Sequence, residues 1–86
     1  MELIFTKSFR KALSKLTIAR RKHVEKAVGQ YQADRTDPIL RDHALKGKMQ
    51  GFRTFSAAWD LRVIYREEGG FMTIVLIDTG THNQVY

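Results

Sequence analysis

The chain has 86 residues, of which 43% are hydrophobic and 28% charged, with one Pro, six Gly and no Cys. These numbers describe one small globular domain, residues 1–86, and exclude a disulfide scaffold, a thiolate metal site and a cysteine nucleophile. Fifteen Lys and Arg against nine Asp and Glu give a formal charge of +6, and residues 1–53 alone hold 13 basic and 5 acidic side chains, so a polyanion or an acidic protein is the expected neighbour of that half.

Met1 to Phe5 reads as a short opening strand. Thr6 can cap the helix that follows, since its hydroxyl can accept an orphan backbone N–H. From Lys7 to Leu16, Phe9, Leu13 and Leu16 fall on one helical face, and Lys7, Arg10, Lys11 and Lys15 take the others. Thr17 can cap a second helix running to about Gln32. Its apolar stripe is Val24, Ala27, Val28 and Tyr31, with Ile18 and Ala19 near the start. Almost no loop separates the two, so a helical hairpin is expected. Pro38 stops helix continuation from Asp37, and Ile39 to Asp42 has room for one turn. His43 to Gly51 is a polar, glycine-punctuated loop.

The remainder reads as β-structure. Phe52 and Phe55 belong to a first strand. Leu61 to Glu67 alternates, with Leu61, Val63 and Tyr65 on one side and Arg62, Ile64 and Arg66 on the other. Glu68-Gly69-Gly70 is a hairpin turn. Phe71 to Ile77 is almost wholly apolar, the pattern of a central strand buried on both sides. The predicted class is α+β: an N-terminal strand, a helical hairpin, then a three-stranded antiparallel meander, with the helices on one face of the sheet.

No phosphate-cradling glycine loop is present, and the three His, at 23, 43 and 82, show no metal-ligand spacing. What remains is His43, His82, Asp60, Arg62, Lys46, Lys48, Arg53 and Tyr86. RNA carries its own nucleophile, the 2′-OH. Cutting it needs a base for that proton, an acid for the leaving 5′-oxygen and a cation for the phosphorane. Imidazole titrates near neutral pH, so two His can divide the proton transfers, and Arg offers a planar fork for phosphate oxygens. His23, on a basic helix, is expected to be a solvated surface residue. Trp59 is expected to pack rather than to stack on a base. The N-terminus lacks the pattern of a secretory signal and no apolar run approaches the roughly 20 residues of a membrane span, so a soluble, cytoplasmic protein is expected.

The segments Asp42-His43-Ala44-Leu45-Lys46-Gly47, Gly51-Phe52-Arg53, Arg62-Val63-Ile64-Tyr65 and Thr79-Gly80-Thr81-His82 resemble the RelE/ParE superfamily of bacterial toxins, and within it the YafQ-type branch. The resemblance covers essentially the whole chain. It implies a type II toxin that enters the ribosomal A site, cleaves mRNA without a metal and is held inactive by a cognate antitoxin. It also implies roles: His43, His82, Asp60 and Arg62 in catalysis, with Lys46, Lys48, Arg53 and Tyr86 binding RNA. No cofactor is implied. Two positions depart from the pattern, Asp78 standing where YafQ-like toxins carry Arg and Ser56 where they carry His, and Arg62 is expected to supply the guanidinium. The alternatives are a ParE-like toxin that inhibits a topoisomerase without cutting RNA, and a binding module that has lost toxicity.

Overall fold

The computed structural model describes all residues 1–86. Two threonines set the helical starts. The Thr6 hydroxyl accepts the Phe9 N–H at 3.1 Å and opens α1, Lys7–Ser14. The Thr17 hydroxyl accepts the Arg20 N–H at 3.2 Å and opens α2, Ile18–Ala33. Each satisfies a helix-terminal donor that would otherwise be unpaired. Thr6 also donates to the Leu76 carbonyl at 2.6 Å, tying the start of α1 to the sheet.

The sheet has five strands, two more than the meander accounts for. They are β1 (Glu2–Phe5), β2 (His43–Ala44), β3 (Arg53–Ala58), β4 (Leu61–Glu68) and β5 (Thr73–Gly80), in the spatial order β1-β5-β4-β3-β2. β1 pairs parallel to β5, and the other pairings are antiparallel. β5 is therefore a central strand, and Ile74, Val75 and Leu76 are all buried, as their apolar run predicts. The turn before it is longer than the sequence suggests. Gly69, Gly70 and Phe71 all have positive φ. Phe71 is held there by its N–H donating to Glu67 Oε2 at 2.8 Å and by the Arg35 guanidinium 3.7 Å over its ring.

The alternation along β4 holds. Val63 and Tyr65 pair with Phe55 and Leu76 and join the core formed with α1 and α2. That core contains Phe9, Leu16, Val24, Ala27, Val28 and Tyr31 from the helices, each worth roughly 1–3 kcal/mol of burial depending on its size. Its centre is aromatic: Tyr31 stacks on Phe55 at 4.9 Å and meets Tyr65 edge-on at 5.1 Å. Ile18, expected near the apolar stripe, is 65% exposed instead. It sits in the first turn of α2, ahead of the stretch that meets the sheet.

Three short elements have no signal in the sequence. The loop from His43 contains the two-residue strand β2 and a 3₁₀ turn at Gly47–Met49. The chain then ends in a four-residue helix, α3, His82–Val85, opened by a Thr81–Gln84 capping box. A further 3₁₀ turn, Pro38–Leu40, fills the connection from α2, where a single turn was expected.

Candidate functional site

Cross-strand partners lie on the same face of a sheet, so the register assigns faces. Ser56 pairs with Arg62 and Arg62 with Gly80; His43 pairs with Thr54, Thr54 with Ile64 and Ile64 with Asp78. Both rows lie opposite Phe55, Val63, Tyr65 and Leu76, on the face that α1 and α2 leave uncovered. A bulge decides the composition of this second face. Tyr65 pairs with Leu76 but Ile64 with Asp78, leaving Ile77 as an extra residue. Without it Asp78 and Gly80 would continue the parity of Ile74 and Leu76 and point at the helices. With it they turn to the side of Arg62.

α3 packs on this same face. Gly80 points toward it, and a Cβ built there would lie 2.7 Å from Gln84 Oε1. Gln84 Oε1 accepts the Thr81 N–H at 2.8 Å, closing the capping box. Val85 is buried, as are Ile64 and Val75, so the second face has a small apolar patch of its own. The first residue of α3 is His82. Its backbone N–H donates to Asp60 Oδ1 at 3.3 Å, and its ring meets Tyr86 edge-on at 4.5 Å. Asp60 ends the two-residue turn between β3 and β4 with φ +54, a left-handed conformation that Asp tolerates better than most residues.

Asp60, Arg62, His82 and Tyr86 thus gather at one end of the second face. Arg62 is half-buried and free of ion pairs: the two in the molecule are Arg53–Asp42 and Arg66–Glu68. Asp78 does not reach for it either, its Oδ1 accepting the Thr79 N–H at 2.9 Å. Ser56 folds back and donates to the Ala58 carbonyl at 3.1 Å. His43 stands apart at the β2 edge. Three strand spacings separate its column from that of Asp78, about 14 Å in backbone terms. Its ring is exposed, with Nδ1 2.8 Å from the Arg41 carbonyl oxygen. Lys46 and Lys48 are exposed in the turn that follows.

Arg53 is placed differently from the rest. It pairs with Tyr65, on the side of the helices. Its Nη2 and Nε donate to Asp42 Oδ1 at 2.5 and 3.0 Å, and the Tyr65 hydroxyl donates to Asp42 Oδ2. Burial, reinforced by that bond to a carboxylate, holds the Tyr65 hydroxyl far above the usual tyrosine range. Partial burial works against the charge of Arg53, but its bonds to Asp42 and Tyr65 outweigh this and keep its pKa above the ordinary arginine value. Arg53 is therefore engaged in closing the core. Trp59 also departs from expectation, being 95% exposed rather than packed. A two-residue turn projects it beyond both strands. No cluster of three or more His, Asp or Glu is arranged to hold a metal ion.

The sequence matches, over residues 1–86, the family of YafQ toxins, bacterial toxins of type II toxin-antitoxin systems. The chain belongs to this family. Among solved structures, the toxin is similar to a metal-bound toxin from Helicobacter pylori, with 25% identity and a TM-score of 0.74 over 100% of this chain and 99% of that one. YafQ from E. coli strain BL21(DE3) shares the fold at 16% identity and a TM-score of 0.73, over 99% and 97% of the two chains. The toxin is also similar in fold to the toxin chain of the E. coli DinJ-YafQ complex, at 17% identity and a TM-score of 0.70, over 99% and 97%. No curated protein matches by sequence. No helix of the toxin is long and apolar enough to cross a membrane.

Proposed function

We propose that the toxin is a cytoplasmic, ribosome-dependent endoribonuclease that cleaves mRNA in the A site without a metal. The observation that carries this reading is the position of Arg62. It is an unpaired guanidinium on the uncovered face, with Asp60 two residues before it and His82 two residues beyond its partner Gly80. In the proposed reaction one imidazole removes the 2′-OH proton, the O2′–P bond forms and the P–O5′ bond breaks. The other, as imidazolium, protonates O5′, leaving a 2′,3′-cyclic phosphate and a 5′-OH. His82 takes one of these transfers and Arg62 stabilises the phosphorane; the other is proposed for His43, which must reach across the open face from the β2 edge to the same phosphate. Asp60 acts as a positioning residue through the backbone of His82. Lys46 and Lys48 hold the RNA backbone, and Tyr86 backs the His82 ring. Arg53 supports the site from behind and is not assigned an RNA contact. The ribosome supplies the in-line geometry that a surface of this size cannot impose on a flexible strand.

A neighbouring antitoxin is part of the proposal. DinJ accompanies YafQ in the E. coli complex, and an acidic, initially disordered tail suits the basic half of this chain. Asp78 favours a second reading, a toxin without nuclease activity, because a carboxylate on the face of Arg62 repels a phosphate. Mapping mRNA 5′ ends after incubation with translating ribosomes separates the two. Cleavage should appear with the parent and fall about 100-fold or more in Arg62→Ala and in His82→Ala. Intact mRNA with the parent protein would reject the nuclease, and inhibition of supercoiling would then identify a ParE-like activity.

A further inference from the structure

Beside the candidate site runs a groove of about 700 Å³ between α2, the Pro38–Leu40 turn and the β3–β4 hairpin. It is open because β2 pairs only with Arg53 and Thr54 and leaves the β3 edge bare from Ser56 onward. The groove is continuous with the site, since Ser56, Asp60 and Arg62 line it. Its far wall carries His23 and two cations, Lys26 from α2 and Arg41 after the turn, with one carboxylate, Asp37, already accepting from the Gln30 amide. Neither His23 nor the two cations take part in an ion pair. At its mouth stands Trp59, whose indole is covered by nothing in the molecule.

An exposed tryptophan costs solubility and gains nothing from packing. Here it sits on a turn fixed at one end by strand pairing and at the other by the Asp60–His82 bond. A rigid aromatic face next to a row of cations is the recognition chemistry of single-stranded nucleic acid: bases stack while phosphates follow the charges. We infer that this groove is a binding channel for the single-stranded RNA flanking the cut, with Trp59 stacking on a base and Lys26 and Arg41 meeting phosphates. The inference rests on the nuclease reading for the identity of its ligand. An acidic peptide would satisfy the cations, but it gives the bare indole no flat partner. The continuity with Arg62 also leads a phosphodiester strand directly from channel to site. His23, which the sequence suggests is merely solvated, becomes a third contact in the channel.

Trp59 is the only tryptophan, so its fluorescence reports its own environment. The test titrates the full chain with a 2′-O-methyl RNA hexamer of mixed sequence, which cannot be cleaved because its 2′-oxygen is blocked. Quenching at saturation is expected. By anisotropy of a labelled hexamer, Trp59→Ala should bind about tenfold more weakly, Trp59→Phe should recover most of the loss, and Lys26→Glu with Arg41→Glu should flatten the salt dependence. Unchanged fluorescence on saturation, or equal affinity for Trp59→Ala, overturns the inference. So does quenching by a hexaglutamate peptide with none by RNA, which would assign the groove to an acidic protein. Ribosomal cleavage is measured in parallel. Cleavage that depends on Arg62 without any effect of Trp59 removes the channel and leaves the nuclease. Stacking on RNA without cleavage removes the nuclease and leaves the channel.

Discussion

At the scale of single residues, the Asp42–Arg53–Tyr65 cluster shows how one side chain can be read correctly as basic and wrongly as available. Gly-Phe-Arg stands in a polar loop region of the sequence, where an arginine invites a phosphate. Only the register, Arg53 against Tyr65, shows that it faces the core. The same cluster fixes the alkaline limit of stability. Burial raises the Tyr31 and Tyr65 hydroxyls above the ordinary value of 10.0. As pH rises past that value the unfolded chain releases these protons and the folded chain keeps them. The folded state then binds more protons, so stability is complete below about pH 10 and declines above it. Urea unfolding at stepped pH should show this decline, with a shallower slope in Tyr65→Phe. At neutral pH that variant should lose about 1 kcal/mol, the worth of one hydrogen bond.

At the scale of elements, the helical hairpin, both threonine caps, the alternation of β4 and the burial of β5 were legible, because each rests on periodicity or local chemistry. Phe9, Val24, Ala27, Val28 and Tyr31 are buried where their spacing places them. β2 and α3 were not legible. Two and four residues are too short to display a period, and both owe their existence to neighbours: β2 to the edge of β3, α3 to the face around Gly80. The bulge at Ile77 was invisible for a related reason. Nothing in a run of apolar residues marks which one is unpaired, yet that choice decides the side on which Asp78 and Gly80 emerge. Of the candidate site, the residue types were readable and their grouping was not. Asp60, Arg62 and His82 converge through turn, strand and helix start, while His43 lies two strands from Arg62. A prediction belongs to this scale. Gly80→Ala puts a methyl group 2.7 Å from Gln84 Oε1 and 3.1 Å from its Cβ, and should break the capping box and lift α3. A loss of about 1 kcal/mol in stability is expected, with a much larger proportional loss of mRNA cleavage because His82 moves. Chemical shifts of the His82 ring should change in Gly80→Ala while those of His23 do not.

At the scale of the whole molecule, charge and hydrogen bonding divide the work. The basic excess lies in the half built from the helices and the loop after them, and Asp60, Arg62, His82 and Tyr86 lie in the other half. The two meet where the groove runs past the β3 edge. On the proposed reading, an RNA strand drawn in by the cations arrives beside Arg62.

The parallel pairing of β1 with β5 joins Glu2 to Thr73 and Phe5 to Leu76. A polypeptide is made from one direction, so the first strand must wait some 70 residues for its neighbour, and such distant pairings form slowly. During that wait the parts of α1 and β1 that pack on β5 have nothing to close against, and His82 does not yet exist. Fragments that stop short of Thr73 should be digested by a non-specific protease as readily as an unfolded chain. Interrupted synthesis of the toxin should therefore leave only a protease-sensitive peptide without the sheet that holds the candidate site.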